Sequence, residues 1–146
     1  MTSFAQFVAE QDAKNTIHLN VLKWSYMLCD ALVQNYHDYA IRGHQRLIDK
    51  GESVEHHKQQ IEKLKQGTSP INYVIESGKK YHKIIMIDGG YSRSVHAFVD
   101  KKTGEVYKSA SWKAPAKGVR YDLRIIEQRE WLFEHADWSG GYLYAR

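Results

Sequence analysis

Residues 96–108 have the sequence HAFVDKKTGEVYK, and this stretch decides the fold. Its middle, DKKTG at 100–104, is typical of a type I turn followed by a glycine in the left-handed region. Only glycine takes that conformation without a penalty from Cβ, so Gly104 fixes where the chain turns. The stretch therefore predicts a β-hairpin between strands at 96–99 and 105–108.

The residues before the hairpin continue the strand pattern. Segments 71–76, 80–88 and 93–99 are rich in Val, Ile and Tyr, and Ser77-Gly78 and Asp88-Gly89-Gly90 separate them. Short apolar runs bounded by glycine-containing pairs are typical of antiparallel strands joined by tight turns. The hairpin is therefore expected to be part of a larger antiparallel sheet.

The first part of the chain has helical spacing instead, with no proline between residues 3 and 66. Apolar residues recur every three or four positions along one stripe, formed by Val21, Trp24, Leu28, Leu32 and Tyr36. This spacing predicts amphipathic helices. Capping residues and glycines suggest a short helix begun at Thr2 or Ser3, a long one from Asn15 or Thr16 to Gly43 or Gly51, and a third over 53–67.

The C-terminal segment is expected to add a strand at 119–123, a closing helix at 125–135 and a last strand at 142–144. Together these elements predict a single α+β domain over 1–146, with a helical part at 1–67 and a sheet part at 70–146. N-terminal helices should pack on one face of a four- or five-stranded antiparallel sheet.

The composition of the 146 residues, with 42% hydrophobic and 12% aromatic residues, is that of a folded domain rather than a disordered chain. The sequence has no signal-peptide pattern and no long apolar run, so we expect a soluble protein of the cytoplasm without membrane association. The one cysteine, Cys29, cannot form an internal disulfide.

The net charge of +4 is unevenly distributed. Residues 1–70 have no net charge, whereas residues 77–124 have eleven Lys or Arg against four Asp or Glu, a net charge of +7. An anionic partner would therefore experience the strongest attraction in the middle of the chain.

The C-terminal half resembles a known group of proteins. The residues that carry the resemblance are SVHAFVDKKTGEVYKSASWKAPAKGVRY at 94–121, EWL at 130–132 and ADWSGGYLY at 136–144. They are similar to conserved hypothetical proteins of tailed phages of marine bacteria, including cyanophages, mainly over residues 80–146. That group has no assigned activity. The resemblance implies expression in the host cytoplasm and a small accessory role, and it assigns no catalytic residue.

The candidate site combines cations, hydroxyls and aromatic rings, which are the groups that bind phosphates and stack on bases. We expect Arg93, Lys113, Lys117 and Arg120 to form one positive surface, with Trp112 and Tyr121 exposed at its edge. The predicted ligand is single-stranded nucleic acid or a small nucleotide. The full set of candidate residues is Arg93, Ser94, His96, Lys108, Ser111, Trp112, Lys113, Lys117, Arg120 and Tyr121.

Other interpretations of the same residues stay open. Loops of soluble proteins often contain Gly, Ser and Lys, and a tryptophan before a proline often fills a core. The apolar helices could bind a host protein or form a homo-oligomer. An enzyme is a third hypothesis, in which Asp88, Ser92 and His96 would converge. No phosphate-loop or dinucleotide fingerprint occurs in the sequence, and no metal site or cofactor is predicted.

Overall fold

The computed structural model describes residues 3–144, which form an α+β fold with three α-helices and a five-stranded antiparallel sheet. The elements are α1 (Phe4–Asp49), α2 (Val54–Lys65), β1 (Ile71–Ser77), β2 (Tyr81–Asp88), β3 (Ser92–Asp100), β4 (Glu105–Lys108), β5 (Tyr121–Asp122), α3 (Ile126–His135) and a 3₁₀ helix (Gly141–Leu143). The predicted fold class is confirmed.

The hairpin at 96–108 forms as the sequence predicts. Gly104 has φ +74° and donates its N–H to the Asp100 carbonyl at 2.9 Å. The Asp100 carboxylate accepts the N–H groups of Lys102 at 2.8 Å and Thr103 at 3.1 Å. The turn also touches α1, because a Cβ at Gly104 would lie 3.4 Å from a Val21 methyl carbon.

Helix α1 is one continuous helix of 46 residues, so the predicted break at Asn15 or Thr16 is wrong. The Thr16 hydroxyl donates to the Asp12 carbonyl at 2.9 Å, and a side chain bonded within the helix does not cap a new one. Ser3 is the true cap. Its hydroxyl accepts the Gln6 N–H at 3.2 Å, while the Gln6 side chain accepts the Ser3 N–H at 3.1 Å.

The sheet is a meander in the order β1-β2-β3-β4-β5. One face packs on α1 and α3, with Ile84, Ala97 and Val99 in the same core cluster as Leu28 of α1 and Leu132 of α3. None of the helices within residues 3–144 is long and apolar enough to span a membrane.

The C-terminal elements differ from the expectation. The strand predicted at 119–123 is shortened to β5, and residues 142–144 form no strand, since the chain enters a 3₁₀ helix at Gly141. The Tyr121 hydroxyl donates to the Tyr142 carbonyl at 2.5 Å, and Arg120 Nε donates to the Leu143 carbonyl at 2.7 Å. Side chains of the sheet part therefore hold the C-terminal segment.

Candidate nucleic-acid interface on the outer sheet face

The second face of the sheet has no helix packed on it in the described part of the chain. Side chains alternate along a strand, so Lys83, Ile85 and Ile87 of β2 share a face. The pairs Lys83↔Phe98 and Ile87↔Arg93 place those β3 residues on it as well. Phe98 and Ile85 are buried but lie outside the cluster that packs on α1, which identifies this as the opposite, outer face.

Trp112 lies beside two cations of this outer face. Lys83 Nζ is 4.7 Å from the centre of the indole ring, and Arg93 Cζ is 5.7 Å from it. Lys83 Nζ is also 5.8 Å from the Phe98 ring centre, so the lysine lies near a buried and an exposed ring. The Trp112 side chain remains 42% exposed. Cations within about 6 Å of an aromatic face are attracted to it.

The same face has further aromatic rings. Tyr81 makes edge contacts with Phe98 at 5.6 Å and with Tyr107 at 6.1 Å between ring centres. Lys80 Nζ lies 5.3 Å from the Tyr81 ring centre. We call this set of residues the platform: Lys80, Tyr81, Lys83, Arg93, Phe98, Tyr107 and Trp112.

The loop that carries Trp112 is internally bonded. The Ser111 hydroxyl accepts the N–H groups of Lys113 at 3.3 Å and Ala114 at 3.2 Å, and the Ala114 carbonyl accepts the Ser111 N–H at 3.1 Å. Ser109 donates its hydroxyl to the Val95 carbonyl at 3.0 Å, which fixes the loop to β3. The predicted ligand residue Ser111 therefore has a structural role that holds the turn under Trp112.

The charges of the predicted site have different surroundings. Arg93 makes an exposed ion pair with Glu76 at 3.2 Å. Such exposed pairs contribute about 0–1 kcal/mol, so the guanidinium can exchange Glu76 for another anion at small cost. Lys113 and Lys117 are exposed on the loop of Trp112.

Two predicted site residues do not belong to this surface. Tyr121 is 2% exposed, because its pairing with Val106 in β5 turns it toward the helices, and the prediction that it is exposed is wrong. Arg120 is partly buried, and its Nη1 donates to the carbonyls of Lys117 at 3.0 Å and Gly118 at 2.7 Å. The positive surface predicted from four cations and two exposed rings therefore does not form as a whole.

Three other predicted residues, Ser94, His96 and Lys108, line a separate cavity of about 210 Å³ next to the C-terminal segment. His96 is the extra residue of a β-bulge, since Ile84 pairs with Ala97 and Ile85 with Val95. The bulge lets the ring reach the Tyr142 hydroxyl, 2.8 Å from Nε2. The predicted residues thus fall into three sets: those at the outer face and the loop of Trp112, these three at the cavity, and Arg120 and Tyr121, which hold the C-terminal segment.

His96 is held in its neutral form. Burial lowers the pKa of His96 to about 4, although the nearby Asp137 carboxylate opposes this shift. Burial also raises the pKa of Tyr142 well above its usual range. The observed partner of Nε2 is this neutral phenol, so the ring does not form the Asp88–Ser92–His96 arrangement of the enzyme hypothesis. Within residues 3–144, no group of three or more His, Cys, Asp or Glu is placed to hold a metal ion.

The sequence predicts Arg93 and Trp112 of the platform but not its other five residues, Lys80, Tyr81, Lys83, Phe98 and Tyr107. Lys83, the cation beside Trp112, shows why. Its neighbours in sequence are Tyr81 and Ile85 at two-residue spacing, which is the signal of a shared strand face. The spacing indicates that these residues share a face of the sheet, but it does not indicate that the loop of Trp112 lies beside that face.

Comparison with known proteins gives a family without an assigned role. The chain matches the family described as "Family of unknown function (DUF7717)" over residues 4–145. No curated protein and no solved structure matches it. The geometry of the platform is therefore the basis for an argument about function.

Proposed function

We propose that this chain, which belongs to the DUF7717 family of unknown function, binds single-stranded nucleic acid on its platform. The observation that carries the proposal is Trp112, half exposed at the tip of a bonded loop with Lys83 and Arg93 beside its ring. A single strand offers bases for the ring and phosphates for the two cations. A free nucleotide offers the same chemistry with one base only.

The energetics of each contact favour a sequence-independent mode of binding. Every base has a flat face, and stacking on an aromatic side chain contributes about 1–3 kcal/mol per base. The guanidinium of Arg93 can bind two phosphate oxygens at once after it leaves Glu76. Lys113 and Lys117 add positive charge on the same loop. The proposed role is one of binding, through the rings and cations of the platform.

The test is the affinity of the full chain for a fluorescent oligothymidylate, measured by anisotropy at two salt concentrations. For three phosphates bound, the log–log salt slope should be about −2, at about −0.7 per phosphate of a single strand. Trp112→Ala should lower the affinity by about 10-fold, and Lys83→Ala should weaken binding and flatten the salt slope.

Trp131 provides the matched control, since its side chain is also 42% exposed but belongs to α3, where it stacks on His135 at 4.1 Å. Trp131→Ala should leave the affinity unchanged. Binding that is absent, or equal in wild type and Trp112→Ala, would refute the proposal. A thymidine mononucleotide that binds as tightly as the oligonucleotide would exclude recognition of a strand.

A second candidate function is protein binding through the first turns of α1. Phe4, Phe7 and Val8 share one face of the helix and are 82%, 52% and 41% exposed, whereas the first fully buried residue of α1 is Val21. In the phage setting that the resemblance implies, the partner would be a host protein. If the chain instead self-associates through Phe4, Phe7 and Val8, analytical ultracentrifugation should show a dimer for the wild type and a monomer for Phe7→Glu.

A further inference from the structure

A basic groove lies between the C-terminal part of α1 and α2, away from the platform. Its volume is about 550 Å³, within the range of about 300–1,000 Å³ usual for ligand pockets. Arg42 and Arg46 of α1 line it together with Lys50, the residue that caps the C-terminal end of α1. They are four residues apart along the helix, a spacing that brings side chains to one face.

Arg42, Arg46 and Lys50 make no ion pair in the described part of the chain. The residues that line the groove include no Asp or Glu. Within residues 3–144, the ion pairs are Arg93–Glu76 and Arg124–Asp122, so none of the three cations has a carboxylate partner there. The nearby Asp38 and Asp49 instead accept hydrogen bonds from Gln34 and Gln45, both at 3.0 Å. A groove with several cations and no acid favours an anion of more than one charge.

A histidine pair joins the two helices beside the groove. His44 Nδ1 of α1 and His57 Nδ1 of α2 are 2.7 Å apart, a hydrogen bond in which one nitrogen donates and the other accepts. Both residues line the groove. Burial, together with the neighbouring imidazoles, lowers the pKa of His44, so this hydrogen bond joins the two helices beside the groove without adding charge.

The groove continues into a second concavity of about 460 Å³ that shares Tyr36, Ala40 and His44 with it. Lys63 and the turn at Gly89-Gly90 line this part. At both glycines a Cβ would meet nothing within 4 Å, so the space beside their backbone is open. Tyr36 and Tyr39 supply aromatic surface at the end of the groove that is nearest Trp138, whose ring centre is 5.5 Å and 5.1 Å from theirs.

We infer that this groove binds a nucleoside di- or triphosphate, with the polyphosphate chain on Arg42, Arg46 and Lys50 and the nucleoside toward Tyr36 and Tyr39. The guanidinium groups take phosphate oxygens in pairs, and the ammonium group acts as a point charge. The inference is independent of the platform, since it uses other residues of another part of the fold.

The experiment is calorimetric titration of the full chain with ATP, with inorganic tripolyphosphate and with orthophosphate. ATP should bind at least 5-fold more tightly than tripolyphosphate, and orthophosphate should bind at least 100-fold more weakly than ATP. Arg46→Glu should lower the affinity for ATP by at least 10-fold, and Lys50→Ala, a milder change, by about 3-fold. Lys23→Glu is the matched control, because Lys23 is an exposed cation of α1 outside the groove, and it should leave ATP binding unchanged.

The inference would be overturned by absence of ATP binding, by an ATP affinity that is the same in wild type and Arg46→Glu, or by tripolyphosphate binding as tight as that of ATP. Trp112→Ala should retain ATP binding, and Arg46→Glu should retain oligothymidylate binding. Loss of ATP binding in Trp112→Ala would instead assign the nucleotide to the platform and remove it from the groove.

Discussion

Acidification should destabilise the fold through His96. The ring lies between Tyr73, at 5.4 Å, and Tyr142, at 5.6 Å between ring centres, and Nε2 is 2.8 Å from the Tyr142 hydroxyl. Burial lowers the pKa of His96 from 6.5 to about 4 in the folded chain. The unfolded chain therefore binds a proton at His96 below about pH 6.5, whereas the folded chain does so only near pH 4.

The sign and size of the effect follow from this difference. Because the unfolded chain binds the proton first, the free energy of unfolding falls as the pH decreases below about 6.5, and the fall levels off near pH 4. One pH unit corresponds to at most about 1.4 kcal/mol for one proton. Between pH 7 and pH 5, His96 should therefore remove about 2 kcal/mol of stability.

Urea unfolding followed by tryptophan fluorescence at pH 7, 6 and 5 measures this loss. His96→Gln keeps a polar side chain but cannot titrate, so its stability should fall by about 2 kcal/mol less than that of wild type over the same range. Carboxylates and His82 act in both proteins and cancel in the comparison. Equal pH dependence in the two would refute the reasoning, as would a His96 resonance that titrates near pH 6.5 in the folded wild type.

Two other positions test the fold. Gly104→Ala should lower the free energy of unfolding, measured in urea, by about 1–3 kcal/mol, because φ is +74° and the new Cβ would lie 3.4 Å from carbons of Val21 and Arg124. Gly43→Ala inside α1, where a Cβ would meet nothing within 4 Å, should raise the free energy of unfolding by about 0.5–1 kcal/mol. Equal effects would contradict the turn geometry. Tyr121→Phe should lower the free energy of unfolding by about 1–3 kcal/mol, because it removes the hydroxyl that donates to the Tyr142 carbonyl. The same substitution should leave the affinity for oligothymidylate unchanged. A weaker affinity in Tyr121→Phe would mean that Tyr121 contacts the ligand after all.

The parts of the fold that the sequence predicts well are those that local rules determine. Gly104 marks the hairpin because the left-handed turn disfavours residues with a Cβ, and the alternation in β1 follows from burial on one face. Strands β2 and β3 also bury Ile85 and Phe98 on the outer face. Local rules do not predict that α1 is one continuous helix. Thr16 is a capping residue by type, but its hydroxyl bonds inside the helix. The 3₁₀ helix at Gly141 likewise depends on contacts with the distant residues Arg120 and Tyr121.

The site was predictable only in part, for a similar reason. Trp112 and Arg93 were found because an aromatic residue in a polar loop and a cation near a glycine turn are visible in the sequence. Lys83 joins them through strand register, and the same register buries Tyr121. The basic groove does not show in the net charge of residues 1–70, which is zero because eight Lys or Arg are balanced by eight Asp or Glu. Four-residue spacing of Arg42, Arg46 and Lys50 was the signal that could have revealed it.

The most direct test of the central claim is an NMR titration of the full chain with oligothymidylate, followed at the indole N–H signals of its four tryptophans. Binding on the platform predicts that the Trp112 signal shifts and saturates with the anisotropy-derived affinity, while the signals of Trp24 and Trp131 stay in place. A titration in which Trp112 does not move, or in which Trp138 beside the groove moves instead, would contradict the account.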